Sequence, residues 1–121
     1  MTIVLWIVAG LLAVAFLGAG AMKSLKSKEQ LAESWMAWVE NFPPSLIKVI
    51  GLAEVLGAIG LVLPPLVGIA EPLAPIAALA LALTMVGAVI VHVQRKEPFA
   101  PALVLGALAL FVGIGRVFVG F

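Results

Sequence analysis

Apolar side chains arrive in four long blocks, and the charged residues gather mostly in the stretches between them. Residues 1–22 hold no ionisable side chain, and the whole pattern predicts helices at about 3–22, 45–63, 72–93 and 101–119. About 20 helical residues rise about 30 Å, the thickness of a bilayer's hydrocarbon core. Each block is therefore predicted to span a membrane. The first block lacks a basic start and exceeds the usual apolar length of a secretory leader, so it is expected to remain as a span. The prolines (Pro43, Pro44, Pro64, Pro65, Pro72, Pro75, Pro98 and Pro101) all fall at block borders. Proline suits the first turn of a helix and disrupts its interior, so these positions predict a break between each pair of spans. The links at 64–71 and 94–100 are short, which forces neighbouring spans to run in opposite directions. The expected fold is all-α, an antiparallel four-helix transmembrane bundle forming one membrane domain over residues 1–121.

The longer connection between the first two blocks has a pattern of its own. Leu31, Trp35, Trp38 and Phe42 fall at helical spacing, with Glu29, Glu33 and Glu40 on the other side. Ser27 and Gln30 offer a capping box, and Pro43-Pro44 supplies a stop. The prediction is a short interfacial amphipathic helix at about 28–42. Trp35 and Trp38 are its expected anchors at headgroup level, where an amphipathic ring is stable. A sharper reading makes the same helix a lid over a cavity open to the cytoplasm. Lys23, Lys26, Lys28 and Lys48 cluster around this connection, and Arg95 and Lys96 lie in the third. Basic residues accumulate on the cytoplasmic side. Both termini are thus expected on the non-cytoplasmic side, with a bacterial inner membrane as the location.

Composition narrows the function. Hydrophobic residues make up 64% of the chain and charged residues 11%, against about 25% charged in a soluble domain. A net charge of +1 gives no reason to expect a nucleic acid partner. Without cysteine, the chain itself builds no dithiol, thiolate nucleophile or iron–sulfur site. Its single histidine supplies only one axial haem ligand. Electron chemistry would then belong to a bound organic cofactor or a partner subunit.

Besides Lys48, just inside the second span, three ionisable residues fall within the spans, where burying a charge in lipid costs at least about 2.5 kcal/mol. On the fourth helix, Arg116 shares a stripe with Ala102, Leu105, Gly106, Ala109 and Gly113. Small residues mark the faces where membrane helices approach closely, so Arg116 is expected to point inward. Glu54 lies beside Gly51, Gly57 and Ala58 on the second helix, and the same reasoning applies. Counted from the cytoplasmic edge, Glu54 is about 14 Å deep and Arg116 about 22 Å. That gap of about 8 Å predicts a Glu54–Arg116 pair, direct or through one water. The pair would either fix helix register or form a polar centre that holds a ligand or relays a proton. His92, on a face with Ala88 and Thr84, is expected at headgroup level, with a proton relay or quinone contact as the alternative. No carboxylate is placed beside it by this reading, so no metal site is expected.

Several segments carry a family resemblance. They are Phe16-Leu17-Gly18-Ala19-Gly20-Ala21-Met22-Lys23 and Gly51-Leu52-Ala53-Glu54-Val55-Leu56-Gly57-Ala58-Ile59-Gly60-Leu61, then Ala88-Val89-Ile90-Val91-His92 and Gly115-Arg116. In these the chain resembles the DoxX-like family of small four-helix membrane proteins. The resemblance implies that Lys23, Glu54, His92 and Arg116 occupy the family's characteristic polar positions. The family takes its name from a subunit of a thiosulfate:quinone oxidoreductase, and some eukaryotic relatives look like assembly or trafficking factors. It implies an accessory or quinone-pocket-forming subunit of a larger membrane oxidoreductase, not catalytic alone, with a bound quinone or lipid as the cofactor to seek. Besides the lipid bilayer, the expected partners are such a complex or a second copy of the chain. Two alternatives stand beside it. One is a binding or assembly module for another membrane protein or a lipid. The other is a small proton-coupled transporter, although short four-helix exporters carry their glutamate in the first span.

Overall fold

The computed structural model describes residues 2–33 and 36–120. Four long helices dominate: α1 (Thr2–Leu25), α3 (Pro44–Val67), α4 (Leu73–Gln94) and α5 (Ala100–Phe118). Each is long and apolar enough to cross a membrane. Between α1 and α3 lie the short helix α2 (Lys28–Ala32) and a 3-10 turn at Ala37–Asn41. Large apolar side chains such as Ile3, Leu11, Leu83 and Val117 stay exposed on the outside of the bundle. In water so much exposed apolar surface would drive aggregation; in lipid it is the favourable face.

The helices pack in a ring, α1 on α3, α3 on α4, α4 on α5, and α5 back on α1. Glycine sets the closest approach. A Cβ added to Gly20 would lie 2.5 Å from the Gly51 carbonyl oxygen, so the late part of α1 rests directly on the early part of α3. Gly60 meets Ala77 of α4, Gly106 meets Met85, and Gly115 of α5 abuts Leu5 of α1. A buried stripe runs down α1 through Leu5, Ala9, Leu12, Phe16, Gly20 and Lys23, at spacings of three or four. Its Ala9, Leu12 and Phe16, with Leu61, Ala78, Leu81, Ala109 and Val112, form the apolar centre of the bundle.

Three expectations change here. The first span does not stop at Met22 but continues to Leu25, so Lys23 belongs to the helix and not to the connection. The second passes through Pro64 and Pro65, both buried, and ends one turn later at Gly68. Two prolines near a C-terminus deprive only two carbonyls of their helical partners, and the fixed proline φ fits the helix. The αL conformation of Gly68 then stops it, with its N–H donating to the Pro64 carbonyl at 3.0 Å. The third change is in the connection, where the continuous helix expected at 28–42 does not form. Ser27 and Gln30 make the expected capping box, but α2 ends at Ala32 and the chain resumes as the 3-10 turn. A straight helix over 28–42 would be about 22 Å long, whereas packed neighbours lie about 8–10 Å apart. The connection must therefore fold back on itself. In doing so it buries Leu31, Met36 and Val39 against Ile47, in place of the expected single stripe. Trp35 lies outside the described residues.

Candidate functional site

Lys23 and Glu54 meet inside the bundle. The Lys23 Nζ donates to Glu54 Oε1 in a buried ion pair, with the two residues 6% and 1% exposed. Local geometry explains the meeting. Helical side chains lean toward the N-terminus of their own helix, so Lys23 near the end of α1 leans inward. Glu54, in the first half of α3, leans back toward the same end of the bundle. Each stands three residues after a glycine of the tight Gly20–Gly51 contact, and that contact brings the two side chains within reach.

The pair does not sit in solid packing. It lies on the wall of a cavity of about 310 Å³ to which all four long helices and the connection contribute. Small residues open the space, Ala15 and Ala19 from α1, Gly87 and Ala88 from α4, Ala102 from α5. Aromatic rings bound it on one side. Trp38 lies with its ring centroid 5.2 Å from the Lys23 ammonium and packs edge-on against Phe42. Trp38, the expected headgroup anchor, is half-buried and lines this cavity.

Across the cavity, α4 presents Thr84 and His92, the face read from the sequence. The Thr84 hydroxyl donates to the Ala80 carbonyl at 2.9 Å, leaving its oxygen lone pairs as acceptors. His92 does have a carboxylate beside it, contrary to expectation. Its Nδ1 is 3.0 Å from Glu97 Oε1, and Arg95 Nε donates to Glu97 Oε2 at 2.9 Å. The fold of the chain brings Glu97 there. Lys96 takes the left-handed conformation with φ 58°, its N–H bonds the Val93 carbonyl, and the Glu97 N–H reaches the His92 carbonyl at 2.8 Å. This closed helix end turns the chain back and lays the Glu97 side chain over the ring. The hydrogen bond from Arg95, and then that from His92, holds the Glu97 carboxyl below its ordinary range. No sequence pattern singled out Glu97; its five-residue distance from His92 is a helical neighbour only once the helix ends between them.

Arg116 is elsewhere. It is 1% exposed, as its small-residue stripe implied, yet its guanidinium lies 4.6 Å from the centre of the Trp6 ring and donates to the Gly120 carbonyl at 3.3 Å. Trp6 and Lys23 are about 25 Å apart along α1. The expected Glu54–Arg116 pair is thus replaced by Glu54–Lys23. Counting Cα depth placed the two residues close, but Glu54 leans toward the start of α3 while Arg116 extends past its own Cα to the end of α5. The side chains diverge.

A sequence model of the DoxX-like family matches residues 7–114, nearly the whole chain. The chain belongs to the DoxX-like family. No curated protein and no solved structure matches it. Of the four polar positions that the resemblance implied, this DoxX-like membrane protein gathers Lys23, Glu54 and His92 at one cavity and sets Arg116 apart. Among the described residues no group of three or more His, Cys, Asp or Glu could hold a metal ion.

Proposed function

We propose that the protein is an accessory subunit of a larger membrane oxidoreductase and forms a pocket for a quinone ring. One observation carries this reading: a buried ammonium–carboxylate pair stands on the wall of a mostly apolar and aromatic cavity of about 310 Å³. That volume lies at the lower end of the range of small-ligand sites, which are mostly apolar with a few placed polar groups. The chemistry fits a quinone: Lys23 offers a donor for a ring carbonyl, and Trp38, Phe42 and Phe16 offer faces and edges for the ring. A bound quinone would supply the electron chemistry, and a partner subunit the second redox centre. Lys23 would orient one carbonyl, Glu54 would keep the ammonium in place, and the aromatic wall would exclude lipid. In this reading the four spans form one antiparallel transmembrane domain in a bacterial inner membrane, with both termini on the non-cytoplasmic side. The interfacial connection carrying Trp38 acts as the lid.

The reading is tested with Trp6→Phe and Trp35→Phe combined, leaving Trp38 as the sole tryptophan, in nanodiscs. Decyl-ubiquinone is expected to quench Trp38 saturably, and Ala88→Leu, which fills the cavity, to weaken the apparent affinity at least tenfold. Non-saturating quenching that Ala88→Leu leaves unchanged would sink the pocket. A second reading, a binding module for another membrane protein or a lipid, draws on the apolar groove of about 550 Å³ between α4 and α5.

A further inference from the structure

The α4 wall of the cavity is built differently from the Lys23–Glu54 wall. His92 is the only histidine of the chain, and both its neighbours in the network lie on the closing turn of α4. Glu97 receives Arg95 on one oxygen and His92 on the other, so both oxygens are occupied as acceptors. An ionised carboxylate has no proton to give, and Arg95 favours the ionised form. Nδ1 must then carry the ring's proton and donate it. In a neutral imidazole with hydrogen on Nδ1, Nε2 is a bare acceptor. The ring borders the cavity, with Thr84 two turns earlier on the same face.

We propose that Glu97 and His92 form a proton-exchange dyad, in which Glu97 orients the ring and His92 Nε2 takes a proton from a ring hydroxyl bound in the cavity. This rests on the pocket reading above and names the ligand form that the pocket exchanges protons with: a hydroquinone or another ring-borne phenol. The step balances without an oxidant. The O–H bond breaks, its electron pair stays on oxygen, and an N–H bond forms at Nε2. The negative charge left behind shares the cavity with the Lys23 ammonium, and His92 then returns its proton to water. Glu97 is a positioning residue, because it touches the ring of His92 and acts through it. Among the described residues, Lys23 from α1 and Glu54 from α3 are the charged groups that line the cavity, and Arg95 and Glu97 at the end of α4 flank His92. Lys23 already holds Glu54 in an ion pair, and the dyad is the proton acceptor on the α4 wall.

A lone histidine makes the test direct. Untagged protein labelled with 15N-histidine, in nanodiscs, gives one imidazole whose two nitrogens report protonation separately. Wild type is expected to show the Nδ1–H tautomer, the one free histidine disfavours. Glu97→Gln should shift the majority to Nε2–H, and Glu97→Asp should restore at least half of the Nδ1–H signal. Anaerobic addition of a decyl-benzohydroquinone should move the Nε2 resonance in wild type and leave it in place in Glu97→Gln. An Nε2–H tautomer in wild type overturns the dyad. So does an unmoved Nε2 resonance while the same hydroquinone quenches Trp38, which leaves the pocket standing. Absence of both the quench and the NMR shift overturns pocket and dyad together.

Discussion

The two ends of the bundle each bury a cation, and they shelter it in opposite ways. At the Lys23 end an ammonium meets a carboxylate, and small side chains leave space beside the pair. At the Arg116 end a guanidinium lies over an indole ring and reaches a backbone carbonyl near the chain end, with Gly115 pressed against Leu5. An ion pair satisfies both partners and still leaves acceptor and donor capacity toward a cavity. An arginine packed on an aromatic face uses its surroundings as the lining of a close helix contact. The first arrangement suits a binding site and the second suits a clasp between α1 and α5. The difference teaches that polar residues shared by a family need not share a role.

The comparison breaks most readily at the pair. Lys23→Met or Glu54→Gln alone is expected to cost about 3–5 kcal/mol, because each leaves a buried charge without its partner. The double variant should recover most of that loss. Arg116→Met should cost less, about 2 kcal/mol, and leave quinone quenching of Trp38 unchanged. Unfolding in detergent monitored by circular dichroism checks both, and additive losses at Lys23 and Glu54 would remove the pair from the account.

A sharper contrast separates close packing from open space. Gly20→Leu must push into the Gly51 backbone and is expected to destabilise by about 2–3 kcal/mol or more. Ala88→Leu grows into the cavity and should leave the melting temperature within a few degrees while weakening ligand binding at least tenfold. Equal losses of stability would mean that the cavity wall is as tightly fitted as the Gly20–Gly51 contact.

The smallest effect concerns pH. Glu97 has a folded pKa below its ordinary value near 4.5, lowered by Arg95 first and His92 second. Its contribution to the α4 helix end is therefore complete above the unfolded chain's carboxylate range and lost as pH falls through the lower folded value. Amide exchange at Lys96 and Glu97 should accelerate only in that acidic window, and Glu97→Gln should flatten the dependence. Acceleration near neutral pH would assign the turn to another group.

Much of this was legible from residue spacing. The four blocks are the four long helices, the small-residue stripes of Glu54 and Arg116 do face inward, and Ser27 caps α2 with Gln30. Lys23 was legible too, since it continues the stripe of Phe16 and Gly20 at spacings of four and three. Only the resemblance singled it out, because a hydropathy block ends where the first charge appears, although a helix does not. The proline borders misled at Pro64 and Pro65 for a related reason: each proline removes only its own hydrogen bond four residues back, and two such losses near its end do not stop a helix.

Periodicity alone determined that the helices form and which stripe of each turns inward, because lipid solvates apolar faces and rejects charge. Which charges meet was decided only in three dimensions. Pairing depends on the direction in which each side chain leans and on the glycine contacts that set the distance between α1 and α3. The Glu97–His92 contact is further from the sequence still, because it exists only through the left-handed turn at Lys96 that ends α4.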